Sequence, residues 1–133
     1  MSQENVEIVR RLYETVNDVG LEAVIEFLHP DAQVVPPPEW PEASILRGRE
    51  AVQGFARQWM TAFDDFEVEP ERFIDSGGDQ VVAYVHDRGR IAGSDAEIDA
   101  HLFHVWTLTA GKIVRWQLFT DEADALEAAG LSN

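Results

Sequence analysis

The stretch that decides the fold is QVVAYVHDRGRIAGSDAEIDAHLFHVWTLTAGKIVRWQLFT, which covers residues 80–120. Apolar and polar residues alternate through it, and Gly93-Ser94 and Ala110-Gly111 divide it into three segments as hairpin turns would. Gly77-Gly78 marks a further turn before it. The pattern predicts an antiparallel meander of four strands, over residues 66–75, 80–91, 96–108 and 112–120.

The register of the central hairpin follows from a two-residue turn at Gly93-Ser94, because such a turn fixes which residues face each other. Three cross-strand pairs support this register, namely Arg88 with Asp99, Arg90 with Glu97, and Tyr84 with Phe103. Each pair of this kind contributes roughly 0.2 to 1 kcal/mol. A slip by one residue would lose all of them.

Alternation then assigns the side chains of this hairpin to two faces. We call outer face the one with Val82, Tyr84, His86, Arg88, Asp99, His101, Phe103 and Val105. We call inner face the one with Val81, Ala83, Val85, Asp87, Ala100, Leu102, His104 and Trp106. Both faces contain apolar residues, so we expect the outer face to contact a second subunit. The predicted homodimer uses Tyr84, His86, Arg88, Asp99, His101 and Phe103.

The last hairpin has a second turn signal at Thr109-Ala110-Gly111. A three-residue loop there, with Gly111 in the left-handed conformation, predicts Trp116 beside His104 and Leu118 beside Leu102.

Helical segments flank the predicted sheet. Apolar residues at spacings of three and four predict an amphipathic helix over residues 3–18, capped by Ser2. Further helices are predicted from Leu21 to Leu28, from Gly48 to about Phe63, and from Asp121 to Ala129, with a short strand at 32–35. Residues 36–41 read PPPEWP, which predicts a stiff surface loop that carries Trp40 at the rim of a pocket.

Charge and composition exclude several classes of partner. The chain has 133 residues, a formal net charge of −15 and no cysteine. Such acidity repels nucleic acid and anionic membrane, and the lack of thiols excludes disulfides and sulfur-ligated zinc. The first residues resemble neither a secretory signal nor a membrane span. We therefore expect a soluble, cytoplasmic protein.

Four stretches give the chain a family resemblance: RLYE at 11–14, FLHPDAQV at 27–34, RGREAVQGF at 47–55 and HVWTLTAGKIVRW at 104–116. These are similar to segments of the nuclear transport factor 2-like superfamily, and in particular of its SnoaL-like and ketosteroid-isomerase-like members. The resemblance implies an α+β fold in which a curved antiparallel sheet forms a cone around the N-terminal helices. It also implies one domain over residues 1–133.

The resemblance also implies chemistry. Ketosteroid isomerase uses an Asp base with a Tyr and a protonated Asp as hydrogen-bond donors. Tyr13 matches the family tyrosine, His104 matches the protonated Asp, and the position of the base falls at about Pro36, which cannot carry a proton. The SnoaL-like cyclases are cofactor-free, and their His and Asp pair corresponds by face to His104 and Asp87.

The hypothesis from sequence is a cofactor-free isomerase or cyclase that acts on a small, apolar, carbonyl-bearing molecule, with Tyr13, His104 and Asp87 as catalytic residues. The predicted substrate-binding residues are Trp40, Phe55, Trp59, Val85, Leu102, Trp116 and Leu118. A non-catalytic ligand-binding dimer and a fold that serves assembly alone stay open, since these residues could also be core. No metal is expected, because His86 and His101 have no adjacent third ligand.

Overall fold

The computed structural model describes residues 2–37, 39–40 and 44–131. The predicted cap by the side chain of Ser2, the side chain of Leu21, and Pro38 and Pro41 of the proline-rich loop lie outside the described residues. The helices are α1 (Ser2–Val19), a 3₁₀ helix (Leu21–Phe27), α2 (Arg49–Ala62) and α3 (Glu122–Ala128). The strands are β1 (Leu28–Val35), β2 (Leu46–Arg47), β3 (Phe63–Asp75), β4 (Gln80–Ile91), β5 (Glu97–Thr109) and β6 (Lys112–Phe119).

Helix boundaries follow the sequence signals. α1 ends at Gly20, whose φ of 121° is accessible to glycine and strained for other residues. Asp121 caps α3, since its carboxylate accepts a hydrogen bond from the backbone N–H of Asp124 at 3.2 Å. The predicted positions of α1, α2 and α3 are confirmed to within about two residues.

Within the described residues, six strands form one curved sheet in the order β2-β1-β6-β5-β4-β3. The neighbours pair antiparallel, except that β1 runs parallel to β6. The predicted fold class, a cone of sheet around N-terminal helices, is confirmed. Between β1 and β6 the chain passes through β2, α2 and three further strands.

The register of the β4–β5 hairpin agrees with the prediction. Tyr84 lies opposite Phe103, with ring centroids 5.2 Å apart in an edge-to-face arrangement. Arg88 lies opposite Asp99 and Arg90 lies opposite Glu97, as predicted, and the charges of each pair interact. The side-chain hydrogen bond of Arg88 goes to Glu69 at 2.7 Å, because the acidic strand β3 flanks β4 on its other side.

The predicted register of the last hairpin is wrong. Leu118 lies opposite His104, and Trp116 lies opposite Trp106, two residues away from the expected pairing. The turn has two residues rather than three, since Ala110 and Gly111 both have positive φ, and a bulge follows on β6. A shift by two preserves the face, so Trp116 and Leu118 still point inward.

Buried side chains divide between the two faces of the sheet. The inner face packs against α1, the 3₁₀ helix and α2, and its buried residues include Val81, Val85 and Trp106. On the outer face, α3 packs through Ala125 over Val82 and Val105, which are fully buried. Part of the outer face is therefore covered by the chain itself, while Tyr84 and Phe103 stay half-buried.

Asn17 joins α1 to the edge of the sheet. Its side-chain amide donates to the carbonyl of Val68 at 2.8 Å and accepts from the N–H of Val68 at 3.1 Å. The edge strand β3 has backbone groups that no neighbouring strand can pair, and one amide side chain satisfies both at this residue. Because Asn17 lies one turn after Tyr13, the same contact fixes the position of Tyr13 over the inner face.

Candidate functional site

A cleft opens between the helices and the inner face of the sheet. The space between its walls, including the solvent at its mouth, is about 470 Å³, but the centre of a water molecule can reach only about 30 Å³. The cleft is therefore narrow, with room for about one or two waters in this conformation. Its lining residues are Leu12, Tyr13, Val16, Val24, Ala56, Trp59, Phe66, Val68, Asp87, His104, Trp106, Trp116 and Leu118.

A buried hydrogen-bond chain joins three of these residues. The Tyr13 hydroxyl accepts from Nε1 of Trp106 at 2.8 Å and lies 2.7 Å from Nδ1 of His104. The indole N–H can only donate, and Nδ1 is the acceptor within reach of the buried Tyr13 hydroxyl hydrogen among the described residues, so we assign the hydroxyl as donor to Nδ1. The proton of the neutral imidazole then lies on Nε2, and this N–H is the donor that His104 offers to a ligand.

His104 stays neutral in the folded protein. It is 4% exposed, and burial lowers its pKa from 6.5 to about 3. Burial likewise raises the pKa of the Tyr13 hydroxyl well above 10, with a further contribution from the charge of Asp87. At neutral pH both groups therefore act as uncharged hydrogen-bonding groups.

Asp87 is the ionisable group of the cleft that titrates near neutrality. Its side chain is buried, and its Oδ1 has no hydrogen-bond partner among the described residues. Burial raises the pKa of its carboxyl to about 7, with a smaller opposing effect from His86. Near pH 7 both the acid and the carboxylate are populated, which is the condition that a general acid or base requires.

Trp116 contributes a second buried donor. Its Nε1 has no acceptor in the part of the chain that the structure describes. Its ring centroid lies 5.6 Å from that of His104, in an edge-to-face arrangement. The ring of His104 is thus next to an indole N–H that lacks a protein acceptor, and an oxygen of a bound molecule could satisfy this donor.

Asp87 lies some distance from these donors. His104 pairs with Ala83 on β4, and Asp87 is four residues further along the same strand, roughly 13 Å at the usual rise of a strand. This is a separation along the backbone; the side chains line one cleft, and the charge of Asp87 acts on the Tyr13 hydroxyl. A molecule that contacts both the carboxyl and the donors therefore spans the cleft between them.

The structure brings together some of the predicted site residues and separates others. Tyr13, His104, Asp87, Trp59, Trp116 and Leu118 line the cleft. Trp40 packs against Trp59 with ring centroids 5.7 Å apart, and Phe55 packs against Trp116 with ring centroids 5.5 Å apart. Trp40 and Phe55 therefore contact residues that line the cleft but are not among them. Val85 and Leu102 face each other across β4 and β5 in the core.

Sequence reasoning missed Trp106 as a site residue. Alternation assigns Trp106 to the inner face, but its donation to Tyr13 depends on how α1 packs on the sheet. Phe66 and Val68 were missed as well, although their spacing of two on β3 indicates a shared face. The alternation of apolar residues on β3 could have identified both.

The prediction that His86 and His101 have no adjacent third ligand is wrong. His86 and His101 stack on the outer face with ring centroids 4.3 Å apart, as their predicted pairing implies. A third potential ligand, Glu71 of β3, lies beside them, since the ligand atoms of these three residues all lie within 4.8 Å of one another.

A comparison with protein-family models matches residues 9–116 to the SnoaL-like domain. This chain belongs to the SnoaL-like domain family. A comparison with curated proteins gave no match. In the described residues, no helix combines the length and apolar character that crossing a bilayer requires.

Solved structures share the fold of this SnoaL-like protein. A nuclear transport factor 2-like protein from Burkholderia pseudomallei is 24% identical, with a TM-score of 0.76, over 93% of this chain and 95% of that one. The epoxide hydrolase/cyclase-like enzyme SalBIII, which has a role in pyran ring formation in the polyether salinomycin, is 22% identical, with a TM-score of 0.77, over 93% of this chain and 97% of that one. A Catenulispora acidiphila protein with a ketosteroid isomerase-like fold, in complex with trimethylamine, is 18% identical, with a TM-score of 0.74, over 94% and 93%.

Proposed function

We propose that this SnoaL-like protein is a cofactor-free isomerase- or cyclase-type enzyme that acts on a small, apolar, carbonyl-bearing molecule in the cleft. One observation carries the proposal. The apolar cleft contains a buried carboxyl, Asp87, whose Oδ1 has no partner among the described residues, and a buried indole donor, Trp116, in the same condition. Groups of this kind need a partner that the described residues do not supply, which can be water in the free protein and a polar group of a ligand in the complex.

The proposed chemistry is proton transfer next to a carbonyl. The substrate oxygen accepts hydrogen bonds from Nε2 of His104 and Nε1 of Trp116. The Asp87 carboxylate removes a proton from a carbon conjugated to that carbonyl, the C–H electrons move into an enolate, and the charge develops on the oxygen held by the two donors. Asp87 then returns the proton to another carbon of the same molecule, so that no other reactant is consumed.

Tyr13 has a positioning role in this scheme. Its hydroxyl holds Nδ1 of His104 at 2.7 Å, and so keeps the proton of the imidazole on Nε2. The two ionisable groups of the cleft therefore have different roles: the pKa of about 3 for His104 suits a neutral donor, and the pKa of about 7 for Asp87 suits the proton carrier.

A second candidate function is non-catalytic binding of an apolar molecule. It is favoured by the hydroxyl of Tyr13, which already has two partners inside the protein, Trp106 and His104. It is also favoured by the separation of Asp87 from the donors along β4. A ligand could then be held by apolar contact and one hydrogen bond, without proton transfer.

We also propose that two copies associate through the exposed part of the outer face. Tyr84 and Phe103 are half-buried there, beside a groove of about 340 Å³. α3 covers the neighbouring Val82 and Val105, so the proposed contact is smaller than the whole face.

Deuterium exchange tests the enzyme proposal without knowledge of the natural substrate. The bicyclic ketone 1-tetralone is incubated with the protein in D₂O, and loss of the proton signal next to its carbonyl is followed by NMR. The wild type should accelerate exchange over buffer, and Asp87→Asn should lose most of that acceleration. Asp95→Asn, in the exposed turn between β4 and β5, is the matched control. Thermal stabilisation by 1-tetralone without exchange would favour the binding function instead.

A further inference from the structure

The outer face carries a cluster of metal-ligating side chains that the proposed reaction does not use. Glu71 of β3, His86 of β4 and His101 of β5 lie side by side on three adjacent strands. Nδ1 of His101 lies 3.3 Å from Oε1 of Glu71, and Nδ1 of His86 lies 4.0 Å from Oε2 of the same carboxylate. Both imidazoles therefore direct the same nitrogen at one carboxylate.

A bulge in β3 supplies the third member of this cluster. Pro70 lies opposite Val85 and Arg72 lies opposite Tyr84, so Glu71 is the extra residue between two regular pairs. Arg72 occupies the position over the Tyr84 ring, with its guanidinium carbon 5.3 Å from the centroid. The side chain of Glu71 is therefore directed toward His86 and His101. Bulges commonly redirect a side chain toward a site in this way.

The spacing of the nitrogen and oxygen atoms in this cluster is close to what a tetrahedrally coordinated metal ion requires. Zinc binds imidazole nitrogen and carboxylate oxygen at about 2.0 to 2.2 Å, which sets neighbouring ligand atoms about 3.3 Å apart. The His101–Glu71 pair is already at this separation. The other separations, at most 4.8 Å, close by side-chain rotation at partly exposed positions.

A second carboxylate supports the arrangement from outside. Nε2 of His86 lies 2.5 Å from Oδ1 of Asp99, on the side of the ring opposite the nitrogen that faces Glu71. A histidine that binds a metal through one nitrogen usually donates its other N–H to a carboxylate or carbonyl, which fixes the tautomer. The net charge of −15 further favours the approach of cations.

We propose that Glu71, His86 and His101 form a binding site for a divalent transition-metal ion of the zinc class. Two imidazoles and one carboxylate leave the fourth tetrahedral position open, as in catalytic rather than structural zinc sites. Glu71 and His101 also line the groove of about 340 Å³ beside Tyr84 and Phe103. The open position therefore faces a surface that can accept a water, a small anion or a group from a second copy.

Zinc titration of the metal-stripped full chain tests this site. Isothermal calorimetry with zinc chloride should give saturable binding of one ion per chain. Glu71→Gln, His86→Gln and His101→Gln should each weaken binding by at least about tenfold, as should Asp99→Asn through the orientation of His86. Glu67→Gln, a neighbouring carboxylate that accepts from Arg88 at 3.4 Å, is the matched control and should leave the affinity unchanged.

Calcium distinguishes a built site from general attraction to an acidic surface. Nitrogen ligands select zinc over calcium, which prefers oxygen, so calcium chloride should give no saturable binding at this site. Equal binding of both ions, or unchanged zinc binding in the His86→Gln/His101→Gln double variant, would overturn the proposal. A thermal melt of each variant confirms folding, and Glu71→Gln keeps the test decisive if a histidine variant unfolds. Light scattering with and without zinc reports whether the ion joins two copies; the site itself is judged by stoichiometry and by the variants.

Discussion

The Tyr13 hydroxyl oxygen lies 2.7 Å from Nδ1 of His104 and 2.8 Å from Nε1 of Trp106. One hydroxyl from α1 thus satisfies two ring nitrogens of β5 in the interior of the protein. The contact ties the first helix to the middle of the sheet and sets the tautomer of His104. Both the stability of the fold and the donor character of the cleft depend on it.

Tyr13→Phe should lower the free energy of unfolding by about 1 to 3 kcal/mol, since it leaves two buried ring nitrogens without a partner. Urea unfolding measures the change. Tyr84→Phe is the control, because that hydroxyl donates to the exposed Glu122 on the surface, and its loss should cost less than about 1 kcal/mol. Equal effects of the two changes would contradict the buried network.

Asp87 makes stability depend on pH. Its pKa of about 7 in the folded protein lies above the value of about 3.9 of an unfolded chain. The contribution of Asp87 to the free energy of unfolding is therefore fully present below about pH 4. It is lost as pH rises through 7, by an amount on the order of 4 kcal/mol. The difference in unfolding free energy between wild type and Asp87→Asn should fall over this range in urea titrations; a constant difference would mean that the carboxyl is not desolvated.

His104 should have the opposite dependence. Its pKa of about 3 in the folded protein lies below the value of about 6.5 of an unfolded chain, so its contribution is present above pH 6.5 and is lost as pH falls toward 3. Between about pH 4 and 6.5 the slopes from Asp87 and His104 oppose each other. Asp87→Asn should therefore lose stability on acidification more steeply than wild type, and His104→Gln less steeply.

Trp116→Phe removes the second donor of the cleft and keeps an aromatic ring. The affinity for 1-tetralone should fall about two- to twelvefold, which corresponds to one neutral hydrogen bond. The affinity for tetralin, the hydrocarbon of the same shape, should hardly change. Parallel losses for both ligands, measured by calorimetry, would mean that Trp116 acts through packing alone.

Phe103→Glu tests the proposed association of two copies. A charge beside Tyr84 on the outer face should convert a dimer into a monomer in light scattering over a range of concentrations. Ser94→Glu, in the exposed turn of the same hairpin, should leave the mass unchanged. A wild type that is monomeric at all concentrations would contradict the proposed contact.

The sequence predicts the parts of the fold that depend on residues close together in the chain, such as strand alternation and hairpin register. The β4–β5 register follows from Tyr84 and Phe103, and the inner face follows from strict alternation. The bulges at Glu71 and on β6 have no comparable signature, so the partner of Trp116 and the third residue of the outer cluster were missed. The docking of Asn17 on Val68 joins residues far apart in sequence, and only the folded chain brings them together.

The sequence predicts which residues belong to the candidate site better than it predicts their chemistry. Tyr13, His104 and Asp87 were assigned to the interior by periodicity and family resemblance. Their protonation depends on burial and on each other, which a sequence does not record. The single domain over residues 1–133, the dimer and the catalytic roles of these residues stay predictions.

The pH dependence of ketone exchange tests the central claim most directly. If the Asp87 carboxylate removes the proton, the catalysed exchange of 1-tetralone should rise with pH and reach half its maximum near the pKa of about 7. It should fall by about 10² to 10⁴ in Asp87→Asn and stay unchanged in Asp95→Asn. Exchange that equals the buffer rate at every pH, or that persists in Asp87→Asn, would contradict the account.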